Sequence, residues 1–113
     1  MFSGKVSRLS LVPDATLRLE HFMRMQTTLT QLVDRHVRSG VHDKAEFLRI
    51  LVDCEQVHIV TFQENYAAMK ADGNYRKAKI QLVAWKSIPL ESRQFLWKRM
   101  LRGKVANAAD FKP

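Results

Sequence analysis

From Phe22 to Leu32 the apolar side chains Phe22, Met25, Leu29 and Leu32 succeed one another at steps of three, four and three residues, with Val33 and Val37 beside them. That is the rhythm with which one helix offers a continuous stripe to another. Pro13-Asp14 is a suitable start and Ser39-Gly40 a suitable stop, so the pattern predicts a long helix from residue 13 to about residue 38. Asp43-Lys44-Ala45-Glu46 then has the spacing of a capping box, with Asp in place of Ser or Thr, and opens a second helix that runs to about Ala71 before Asp72-Gly73. Its apolar face takes in Phe47, Leu48, Leu51, Val52, Cys54, Ile59, Phe62, Tyr66 and Met69, broad enough to pack on both sides. The run Val57-His58-Ile59-Val60-Thr61 would also suit a strand. Because the apolar face stays in helical register on either side of it, the helix is expected to continue through.

Asn74 is placed to cap a third helix on which Tyr75, Ala78, Leu82 and Trp85 form one stripe. Ser87-Ile88-Pro89 interrupts it, since proline lacks an N–H and disfavours helix at the residue before it. A fourth helix follows from about Leu90 to Arg102, stopped by Gly103. The expected fold is all-α: a small helical bundle with two long antiparallel helices and two shorter C-terminal ones. Residues 1–12 are expected as an N-terminal arm or short strand and 13–104 as a single helical domain. Residues 105–113 are expected as a flexible C-terminal tail from which Phe111 tucks back.

Charge is distributed very unevenly along the chain. From residue 75 onward there are ten basic residues and two acidic ones, an excess equal to the whole chain's net charge of +8, so residues 1–74 are neutral. A one-sided excess of this size speaks about partners more than about fold. On the expected fourth helix Phe95, Lys98, Arg99 and Arg102 share the face opposite Leu90, Trp97, Met100 and Leu101, an aromatic ring among cations. The expected nucleic-acid-binding residues are Arg76, Lys77, Lys79, Lys86, Arg93, Phe95, Lys98, Arg99, Arg102 and Lys104, with Lys and Arg neutralising phosphates and Phe95 stacking or wedging.

Other chemistries find less support. There is no Gly-rich phosphate loop, no G-x-S-x-G, no H-E-x-x-H and no C-x-x-C, so no catalysis and no cofactor is expected. If the first two helices pair about Gly40, His21 comes opposite His58, one turn from Glu55. Three such ligands would be loosely spaced, and buried polar satisfaction is the better account of them, so no metal is expected. His36 falls on the first apolar seam, where an imidazole satisfied by a neighbour is the expectation. The lone Cys54 is expected as a small core residue, and the methionines as gap fillers. No apolar run is long enough for a signal segment or a membrane span, and a cytoplasmic protein is expected.

One local resemblance bears on the partner. Phe22-Met23-Arg24-Met25-Gln26, followed by Leu29, Leu32-Val33, Gly40 and Glu46-Phe47-Leu48-Arg49, resembles over about 30 residues the strand and two helices of ribbon-helix-helix DNA-binding proteins. It implies that Arg24 and Gln26 read a groove. The apolar seam runs unbroken through the strand-helix junction it requires, and the chain is not assigned to that family. The expected function is therefore a small, basic, nucleic-acid-associated regulatory or accessory protein, with DNA ahead of RNA. The alternative is a non-enzymatic interaction module, such as an inhibitor, adaptor or assembly subunit that binds an acidic protein. The long helices would in addition offer seams for a homodimer, and no membrane partner is expected.

Overall fold

The computed structural model describes residues 1–21, 25–40 and 43–113. In chain order the elements are β1 (Phe2–Ser7), β2 (Leu17–His21), α1 (Met25–Ser39), α2 (Lys44–Cys54), β3 (Val57–Thr61), α3 (Phe62–Lys70), β4 (Leu82–Ala84) and α4 (Leu90–Leu96). The strands make one mixed sheet in the order β2-β3-β1-β4, with β1 parallel to β3 and the other pairs antiparallel. The all-α bundle is thus overturned, and the fold is α/β.

The physical reason is clearest in β3. All five of its residues are buried, because a central strand covered on both faces loses the polar alternation that marks a strand at a surface. A buried apolar run is ambiguous in sequence, and β-branched Val57, Ile59, Val60 and Thr61 settle it as a strand. The expected helix from Asp43 to Ala71 is consequently three elements. Asp43 does cap the first, accepting the Glu46 N–H at 3.1 Å, and Thr61 with Glu64 forms a complete capping box for α3. Upstream, Asp14 has φ 64°, a left-handed turn conformation that cannot open a helix, and the residues beyond it alternate as β2. Lys79 has φ 58° and likewise breaks the helix expected after Asn74, which is turns and then β4. The expected arm holds β1, an interior strand of the sheet.

The sheet separates two chemistries. On one face Phe2, Val6 and Ile59 join Trp85, Ile88, Leu96, Met100 and Leu101 in a continuous core, with Leu17 and Leu19 of β2 packed against it. On the other lie Ser3, Lys5 and Ser7 of β1, Glu20 of β2 and His58 of β3, as the period of two requires. α4 covers the apolar face and widens after Leu96 into a π-helical turn, Trp97–Leu101, which puts Met100 and Leu101 into the core before Gly103, at φ 70°, ends it.

Residues 105–113 dock. Trp97 Nε1 donates to the Ala108 carbonyl at 2.8 Å, and Trp85 Nε1 to that of Phe111 at 3.2 Å. The Phe111 ring stands edge-on to Phe2 and within 3.3 Å of where a Cβ on Gly4 would lie, a position that also has φ 83°. Gly4 is therefore doubly required. α1 and α2 pair antiparallel about Gly40, and no described residue of either belongs to the core cluster beneath the sheet.

Candidate nucleic-acid interface

α4 is positioned by what it buries. Ile88 and Leu96 anchor its two ends in the core, and Arg93 Nε donates to the Ile88 carbonyl at 3.1 Å, tying down its first turn. Once Leu96, Met100 and Leu101 face inward, Phe95, Lys98, Arg99 and Arg102 must face outward, and all four are exposed. Phe95 is 60 % exposed, so a large ring stands in solvent beside cations with nothing folded over it. Lys104 follows, its Nζ donating to the Arg99 carbonyl at 2.8 Å, which holds the ammonium against the C-terminal end of the helical run. Arg35 and His36 pair with Glu46, and among the described residues no ion pair engages these cations.

A groove of about 1070 Å³ runs between α4 with its π-helical turn and the segment 10–19. Phe95, Arg99 and Lys104 line one wall, and Leu11, Pro13 and Leu17 the other. Asp14 and Glu91 also line it. Its lining therefore combines apolar surface, cations, an exposed ring and a minority of acids.

The ten residues expected from the sequence do not form one surface. Phe95, Lys98, Arg99, Arg102 and Lys104 are brought together. Arg93 is engaged in holding α4, and Lys86 lies in the 3-10 turn Trp85–Ser87 that leads away from β4. Arg76, Lys77 and Lys79 lie in the turns between α3 and β4, beyond Tyr75, which packs on His58 on the polar face, and none of them lines the groove. The second wall of the groove was missed, because its segment carries no net charge, Asp14 offsetting Arg18, and is brought beside α4 only by the pairing of β2 in the sheet. Of the ribbon-helix-helix residues, Arg24 lies outside the described residues, and Gln26 is in the first turn of α1 instead of a strand.

The polar face holds a second cluster. Ser3 Oγ and His58 Nδ1 are 2.5 Å apart, and the Tyr75 ring meets the imidazole edge-on while its hydroxyl donates to Glu20. Nearby, Ser7 donates to Glu64 Oε1 at 2.5 Å, and the same oxygen accepts the Thr61 N–H. Burial, and secondarily the Lys5 ammonium, lower the His58 pKa to about 4, so the ring is neutral at physiological pH. Burial and the Glu20 carboxylate push the Tyr75 hydroxyl up, keeping it a donor. These groups satisfy one another, and none lines the groove. The helix pairing that would bring His21 to His58 does not exist: β2 and β3 put them on opposite sheet faces, and Glu55 is an exposed residue between α2 and β3. No cluster of three metal-ligating side chains occurs among the described residues, and no described helix is long and apolar enough to cross a membrane. No family model, curated protein or solved structure matches this chain, so what it does has to be read from the groove and the residues along it.

Proposed function

We propose that the chain is a small nucleic-acid-binding protein that holds a single strand along the groove beside α4. Lys98, Arg99, Arg102 and Lys104 neutralise phosphates, and Phe95 stacks on a base. The observation that carries this is the exposed Phe95 set one helical turn before Arg99 on the wall of a groove, among cations that form no ion pair with any described residue. A positively charged channel with an aromatic platform is how single strands are held without sequence readout.

Titration of mixed-sequence single-stranded DNA, RNA and duplex DNA at several salt concentrations tests it. For single strands log K falls with log salt by about 0.7 per phosphate neutralised, so four cations give a slope near −3. Replacing Lys98, Arg99 and Arg102 with Ala should flatten the slope by about two. Phe95→Ala should weaken binding by about 1–3 kcal/mol at unchanged slope. Absence of binding at low salt, or a triple variant that binds like the parent, counts decisively against the proposal.

A second reading, a protein-interaction module, is favoured by one specific feature. Phe62 N–H bonds to the Thr16 carbonyl at 2.8 Å, so alternate residues of β2 pair inward and the backbones of Leu17, Leu19 and His21 point away from β3 along the sheet edge. The Leu17 carbonyl already accepts from the Arg18 guanidinium at 2.9 Å. An acidic peptide adding as a strand would use this edge and the same cations. Such a partner would bind in the same salt-dependent way and, because it takes the same cations, would compete with any oligonucleotide held there.

A further inference from the structure

The α1–α2 hairpin has two unlike sides. The shielded positions between the helices include Leu32 and His36 on α1 and Phe47 and Leu51 on α2. In a right-handed helix the next residue is turned by about 100°, and for an antiparallel pair those turns carry both helices' next residues to the same side. Val33 and Val37 therefore share a side with Leu48 and Val52. The preceding residues, Arg35 and Glu46, should share the opposite side, and they do form an ion pair there. Val33, Val37, Leu48 and Val52 are 48 %, 70 %, 61 % and 49 % exposed, so four branched apolar side chains at two i, i+4 spacings stand uncovered on one surface.

Charge says what fits there. Residues 25–54, which contain the hairpin, hold four acidic and four basic residues, so the entire +8 lies on the rest of the chain. Two copies meeting through any of the basic surfaces would repel, whereas two hairpins meet without net charge. We propose that the chain forms a two-fold homodimer in which the Val33, Val37, Leu48, Val52 face of one hairpin packs on the same face of the other, as a four-helix layer. The dimer holds its basic grooves away from the contact. This inference is independent of what the grooves bind.

Sedimentation equilibrium of the full chain, nuclease-treated and in high salt, is the test. A reversible dimer is expected between low and high micromolar concentration, undiminished by added sodium chloride because the contact is apolar. Val37→Glu combined with Leu48→Glu sets like charges within the contact and should weaken dimerisation by at least about a hundredfold. Arg38→Glu, on the polar side of α1, should leave it unchanged. Both replaced apolar residues are exposed, so circular dichroism of the double variant should match the parent. A monomer at every concentration overturns the proposal and leaves the face to a different partner. So does a dimer indifferent to the double variant, or one equally weakened by Arg38→Glu.

Discussion

His58 illustrates how one residue's surroundings fix both its charge and the conditions the protein tolerates. Its folded pKa of about 4 lies below the ordinary 6.5, so between those values the unfolded chain binds the proton more readily than the folded one. Stability should therefore fall as pH is lowered from 6.5 to 4 and be unaffected by this group above 6.5. Complete protonation costs on the order of 3 kcal/mol from a shift of this size. His58→Gln keeps a polar group beside Ser3 and removes the titration. Urea unfolding at stepped pH should give a flatter profile for the variant across that window, and parallel profiles would show that the imidazole is not the cause. None of this cluster was evident in the sequence, where Ser3, Glu20, His58 and Tyr75 are up to 72 positions apart and share no spacing. Strand parity puts Ser3, Glu20 and His58 on one face of the sheet, and the turn after Asn74 brings Tyr75 to it.

At the level of elements, the dependence of β1 on the C-terminal segment is the main structural lesson. β4 pairs only with Lys5, Val6 and Ser7, leaving the edge of β1 at Phe2 without a strand beside it. The Asn107 side chain takes the missing place, accepting the Phe2 N–H at 2.7 Å and donating to its carbonyl at 2.9 Å, as a peptide group would. Asn107→Ala removes both partners at once and should destabilise the fold by about 1–3 kcal/mol in denaturant titration, while Asn107→Gln recovers little because its amide sits one carbon further out. A loss near zero would mean water replaces the amide without cost. Local signals were legible where local chemistry decides: the stop at Gly40, the Asp43 cap, the break at Pro89, the Gly103 stop and the return of Phe111. Strands were not, since β2 lies after a Pro-Asp pair that mimics a helix start, and β3 is buried on both faces. The stripe of Tyr75 and Trp85 was a coincidence of spacing, for the two rings end on opposite sides of the sheet. The basic helix face stays together because it lies on one continuous helical run, whereas Arg76, Lys77 and Lys79 lie in the turns before β4.

For the whole molecule, eight uncompensated positive charges are a store of self-repulsion that a polyanion relieves. A single-stranded oligonucleotide at about a hundred times its Kd should add about 2.7 kcal/mol and raise Tm on the order of 10 °C for a domain of this size. Scanning calorimetry with and without oligonucleotide reads this directly, and an unchanged or lowered Tm would mean that the folded state holds no preferred site. The clasp between Phe2 and Asn107 also sets an order of events when the chain is made. Its two ends are 105 residues apart, and β1 must besides wait for β3, 55 positions later, before it has a neighbour at all. Contacts so distant in sequence are slow to form, because a long loop must close before they repay its entropy. During synthesis β1 therefore emerges before either of its partner strands and is completed last, an amphipathic strand with both edges open until β3, β4 and Asn107 have followed. In that interval the open edges of β1 are a template for pairing with another chain, and this is when the strand itself is most exposed to aggregation.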